Sequence, residues 1–179
     1  MKKNISIAIA TLSLVVSFIC FLKVDKELYY YGINYLKVYN DLPLNINPVF
    51  LHEFEGGFYL ADEYGSIITN GNNDWANGMN LKVKKFVKYG FNKSNVVAEV
   101  YDLKGIKRFV LFSESNNARL KTRLQLSIVD GSNLRNSNSY KWIMVDEELF
   151  RVKDVLRNGF LIVFLVSLSA LIYLLLKKI

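Results

Sequence analysis

The chain is 179 residues long and 51% hydrophobic, with 23 basic and 16 acidic side chains and a net charge of +7. Two uncharged apolar runs, residues 5–22 and 160–176, flank a central stretch of 134 residues (23–156), enough for one domain and too few for two. That length excludes a large multidomain enzyme, and a single cysteine, Cys20 in the first run, excludes a disulfide-stapled secreted domain.

Residues 1–4 read Met-Lys-Lys-Asn, the positive start of an export signal. The apolar run that follows is long enough to cross about 30 Å of hydrocarbon as a helix. No small residues stand where a signal cleavage site needs them, and Ile19 precedes Cys20 where a lipobox needs a small residue. Residues 5–22 are therefore read as an uncleaved signal anchor, the first transmembrane helix. Ser6, Ala10, Ser13 and Ser17 recur along it at spacings of four, three and four. Small residues so placed line one helix face and admit a second helix closely. Neither apolar run contains a charged side chain, which argues against a channel or transporter.

Residues 25–40 carry Leu28, Tyr31, Tyr35 and Tyr39 at helical spacing and predict an amphipathic helix capped by Asp25. Its tyrosines suit either a headgroup interface or packing against the domain. After Pro48 the period changes to two. Residues 49–54 and 58–64 predict a hairpin joined through Glu55-Gly56-Gly57, and 66–69 continue it. Further strands are predicted at 81–91, 96–102, 106–113, 119–129 and 140–145. The fourth of these is the clearest, because Leu120, Thr122, Leu124, Leu126 and Ile128 alternate with polar residues, as in a strand with one wet face. A helix over 147–156 leads into residues 157–176, the second transmembrane helix, with 177–179 as a short tail. The expected fold is α+β, with two transmembrane helices flanking one mainly antiparallel β-sheet, or a small barrel.

Both termini are then on one side of the membrane and residues 23–156 on the other. Basic residues at the two ends of the spans nearly balance, four against five, so the positive-inside rule is almost silent. A loop this long translocates regardless of charge, so the expectation is a two-pass protein of the bacterial inner membrane. Its domain is periplasmic and its termini are cytoplasmic.

Charge is uneven within the domain. Residues 23–81 hold three lysines against eight acids, and 82–123 hold eleven basic residues against three acids. In that basic block Lys82, Lys84, Lys85, Lys88, Lys107, Arg108, Lys121 and Arg123 are the candidate partner-binding residues. They fall on adjacent predicted strands, either as a positive face for a partner or as solvated lysines that discourage edge pairing.

Reaction chemistry finds few parts. His52 is the only histidine, and the start of a zinc-protease motif at His52-Glu53 lacks its second histidine. No phosphate loop or nucleophile elbow occurs. Glu53, Glu55, Asp62 and Glu63 cluster around one hairpin, as paired acids for glycosidic chemistry or simply as its exposed positions. No catalytic residue, cofactor or metal is assigned. The expected function is that of a non-catalytic membrane interaction protein: a phage superinfection-exclusion, plasmid entry-exclusion or toxin-immunity factor. The alternatives are an accessory or sensory subunit of an envelope complex and, behind it, a carboxylate-dependent enzyme. The expected partners are the membrane and an envelope protein or an incoming phage or plasmid component, with direct nucleic-acid contact and homo-oligomers left open. The bias toward Asn, Lys, Ile, Tyr and Phe matches AT-rich, often mobile, genes.

Overall fold

The computed structural model describes residues 2–33, 38–50, 57–62, 65–68, 81–114, 124–134 and 139–177. The uncharged first run propagates as one helix, α1 (Lys2–Tyr29), and the second as α2 (Glu147–Leu176). At 1.5 Å per residue these are about 42 and 45 Å long, and both are long and apolar enough to cross a membrane. The chain divides into a helical unit, residues 1–28 with 147–179, and a β unit, residues 29–146.

In the helical unit the two helices pair antiparallel, since each step up α1 meets an equal step down α2. Ser13 and Ser167 share a hydrogen bond of 2.9 Å, the rings of Phe18 and Phe164 lie 5.6 Å apart, and Glu27 pairs with Lys153. Side chains turned away from this seam are apolar and exposed, among them Ile9, Leu12, Ile19, Ile162, Val166 and Leu176.

The predicted helix over 25–40 is not a separate element. Asp25 lies inside α1, which stops at Tyr29, and residues 38–40 are not helical, while 34–37 lie outside the described residues. The cause is Gly32, whose φ of +93° favours glycine. Its N–H donates to the Tyr29 carbonyl at 3.0 Å, and its own carbonyl accepts from Phe50 N–H at 3.2 Å. A Cβ there would lie within 2.5 Å of the Val49 carbonyl carbon. Helical periodicity in the tyrosines is therefore overruled by a strand backbone that packs against the turn. Tyr29 and Tyr30 are buried in the β unit, and the Tyr39 ring lies 6.0 Å from that of Tyr29.

The described strands form two antiparallel sheets rather than the expected single sheet or barrel. The first orders β1 (Asn47–Phe50), β2 (Phe58–Asp62) and β3 (Gly65–Ile68) as β1-β2-β3. The second contains β4 (Val83–Phe91), β5 (Val96–Asp102), β6 (Lys107–Glu114), β7 (Leu124–Val129) and β8 (Lys141–Met144). Its order is β7-β6-β5-β4-β8, a meander whose last strand returns to pair with its first. Two layers form because both sheets have an apolar face to bury. Phe58 of β2 meets Phe86 edge-on at 5.0 Å and stacks on Tyr89 at 5.6 Å. Leu60, Val83, Val96, Ala98, Val100, Val110, Phe112, Leu124 and Leu126 complete the core. The Tyr89 hydroxyl, raised well above the usual tyrosine pKa by burial, donates to the Tyr30 carbonyl at 2.7 Å.

Two polar turns fix the hairpins. Asn92 Oδ1 accepts the N–H groups of Ser94 and Asn95, each at 2.9 Å, between β4 and β5. Between β5 and β6, Asp102 Oδ1 accepts from Lys104 and Ile106 at 2.9 and 2.8 Å, with Gly105 at φ +75°. Residues 51–54, 63–64, 69 and 119–123 of the predicted strands lie outside the described residues.

Candidate interaction surface

The register of the five-stranded sheet assigns each basic side chain to a face, because cross-strand partners share a face and neighbours in sequence do not. Val96, Ala98 and Val100 of β5 point into the core, so Val97, Glu99 and Tyr101 point outward. Three rows then cross the outer face. One runs Trp142, Gly90, Val97, Leu111 and Ser127. The next runs Met144, Lys88, Glu99, Phe109 and Val129. The third holds Lys85, Tyr101 and Lys107.

The middle of this face is not wet. Val97 is fully buried and Glu99 is 3% exposed, so β5 is covered on both sides. On the neighbouring strand β4, the Trp142 ring lies so close over Gly90 that a Cβ there would come within 2.8 Å of it. Similarly, Gly131 is close enough to the Phe109 ring that a Cβ would sit 2.6 Å from it. A carboxylate this buried must be paired. Glu99 takes two partners, Lys88 at 3.2 Å and Lys107 at 2.7 Å. The Lys88 ammonium also lies over the Trp142 ring, 4.6 Å from its centroid. The hydrogen bond that Lys107 donates to Glu99, and then that carboxylate's charge, raise the pKa of Lys107.

The basic block is therefore divided. Lys85, Lys88 and Lys107 share the outer face. Arg108 lies opposite Val100 on the other face, at the sheet's end, and donates through Nε to Asp102 Oδ2 at 3.3 Å. The Ile106 N–H holds the Asp102 carboxyl below the usual carboxylate range, helped by Arg108 and the Lys104 N–H and opposed by burial. Lys82 and Lys84 are exposed at the start of β4, next to a register shift between Val83 and Lys85. Lys121 and Arg123 lie outside the described residues, as do His52, Glu53, Glu55 and Glu63. Asp62 ends β2, opposite Gly65. Among the described residues no three metal-binding side chains gather.

In the helical unit, Ser13 bonds across to Ser167 and Ser17 is buried, while Ala10 is half-buried and Ser6 is exposed. Sequence reasoning missed the other end of this seam. Arg157 of α2 lies 3.9 Å from Asp25 of α1, which is 1% exposed. The same guanidinium donates to Asn158 at 2.9 Å and meets Asp154 at 3.1 Å. The signal was present as opposite charges at the inner ends of the two runs.

No family model matches the chain, and no match is found among curated proteins or solved structures.

Proposed function

We propose that this chain is an anchored, non-catalytic interaction protein whose two helices cross a bacterial inner membrane, with the β unit in the periplasm and both termini in the cytoplasm. The observation that carries the reading is the helical pair. Its seam is specific, but its outward surface is apolar along the uncharged run of each helix, residues 5–22 and 160–176. Soluble proteins rarely leave such a surface uncovered, whereas lipid is its natural solvent. A tethered domain with a paired but still cationic sheet face needs no turnover to act. The role it fits is exclusion or immunity: blocking entry of phage DNA, plasmid DNA or a toxin by binding a component of the entry machinery.

The test is expression of the full chain alone, followed by challenge with a phage panel, conjugative donors and pore-forming toxins. Protection against at least one class is expected. Survival and DNA entry unchanged in every challenge would sink the exclusion reading and put the accessory-subunit reading ahead. Loss of protection from Glu53→Gln with Glu55→Gln alone would instead favour the enzyme.

A further inference from the structure

We propose that the outer face of the five-stranded sheet is the docking surface for an extended, acidic segment of a partner protein that alternates carboxylate and apolar side chains. This rests on the reading of the chain as an interaction protein and names the chemistry of its partner.

The argument starts from Glu99. Buried at the centre of the face, it holds the ammonium groups of Lys88 and Lys107 at 3.2 and 2.7 Å. Each ammonium has three donors, and the bond to Glu99 uses one of them. Two long, normally mobile side chains are thus fixed side by side. Part of the ordering entropy of binding an anion is therefore already spent in folding. Lys85, one row further, is exposed and makes no ion pair among the described residues. With Glu99 counted, these side chains leave this part of the face net positive, and the three paired rows contain no second acid.

The neighbouring row is apolar, with Trp142 pressed over Gly90 and Leu111 beyond the fully buried Val97. The two rows lie two residues apart along each strand, about 7 Å. An extended peptide places same-face side chains at that same separation. A segment with acid and apolar residues at i and i+2, lying along the strands, can therefore set an acid by the ammonium groups on Glu99 and an apolar side chain against the partly exposed Trp142 or Leu111, the buried Val97 between them taking no part. A nucleic acid offers anions at every step but needs open aromatic faces for its bases. Here the Trp142 ring is held against Gly90 with the Lys88 ammonium over it. Those two contacts favour a polypeptide.

The experiment uses the full chain in detergent micelles and a synthetic peptide of three Glu-Ser-Phe-Ser repeats, with binding read by calorimetry. Three probes are run beside it: the same peptide with Lys for Glu, a 20-mer of thymidylate, and phosphatidylglycerol vesicles. The Glu peptide should bind at least about tenfold more tightly than the Lys peptide, because like charges across an interface repel. Lys85→Glu should weaken it by about fivefold or more. Lys93→Glu, the same charge change in the exposed β4–β5 turn, should weaken it less than about twofold. Both positions are exposed, so melting temperature should hold for each. Trp142→Ala should loosen binding by about tenfold. No binding of the Glu peptide, equal effects of the two lysine changes, or tighter Lys85-dependent binding of oligothymidylate or vesicles would each overturn the proposal. If the chain protects cells but fails this test, the docking surface is wrong and the exclusion reading stands. If the peptide binds as described and no challenge is blocked, the reverse holds.

Discussion

Replacing Arg157 by methionine keeps the length of the side chain and removes its charge. Asp25, 1% exposed on the facing helix, then loses a guanidinium 3.9 Å away. At an effective dielectric of about 20, that separation corresponds to about 4 kcal/mol of attraction. The distance exceeds a hydrogen bond, so the interaction is electrostatic rather than a directed bond. The 3.1 Å contact with Asp154 adds less, because Asp154 is 28% exposed and water screens it. Losing one partner of a buried pair typically costs about 3–5 kcal/mol, and we expect about 3 for Arg157→Met. Asp25→Asn with Arg157→Met should cost at least about 2 kcal/mol less than the two single changes added together, because no buried charge is left over. The assay is unfolding of the helical pair by titration of mixed micelles with a denaturing detergent, run as a double-mutant cycle. Additive single changes, or a loss below about 1 kcal/mol for Arg157→Met, would refute the reasoning and make the pair an incidental contact.

Four further outcomes are expected. An alkaline phosphatase fusion at residue 75 should be active and one at residue 179 inactive; the opposite pattern reverses the proposed topology. Leu124→Asp, at a core position 4% exposed, should destabilise the β unit by several kcal/mol, on the order of 3, while Gln125→Asp on the opposite face should cost under about 1, as read by urea unfolding. Asp102 has a lowered pKa, so its contribution is present above the unfolded-state value and is lost as pH falls through the lower folded-state value. Wild-type stability should therefore fall more between pH 7 and pH 2 than that of Asp102→Asn, measured in the same urea titrations. Gly32→Ala should lower stability by more than about 2 kcal/mol, because a positive φ and a backbone clash add.

How much was legible depended on whether the relevant contacts were local. The alternation around Leu124 and Leu126 is a local signal, and both side chains are in the core. The order and approximate bounds of the strands follow from similar alternation and from turns such as Asn92–Asn95. The end of α1 was misread because Leu28, Tyr31, Tyr35 and Tyr39 keep helical spacing past the true stop. Gly32 stood inside that pattern as a warning, but its reason is the backbone of Val49 and Phe50, seventeen and eighteen residues on. Two layers in place of one sheet were equally hidden, since Phe58 meets Phe86 and Tyr89 only through packing.

Charge shows the same division at the candidate surface. Counting along the sequence makes residues 82–123 a strongly basic block, and counting cannot see pairing. Lys107 and Arg108 are adjacent on one strand, so they had to lie on opposite faces; that much was readable from the alternation of a strand. What was not readable is that a single buried glutamate on β5 would draw in Lys88 from β4 and Lys107 from β6, while Asp102 took Arg108. The charge left for a partner is set by those three ion pairs more than by the number of lysines. Asp25 and Arg157 follow the same rule in the helical unit. Asp25 was read as a helix cap and Arg157 as one of the basic flanks of an apolar run, yet the two lie 3.9 Å apart and both are buried. In this chain the ionic positions carry the least local information and the most three-dimensional information, so a charge reversal on an unpaired side chain tests a surface, whereas one on a paired side chain tests the fold.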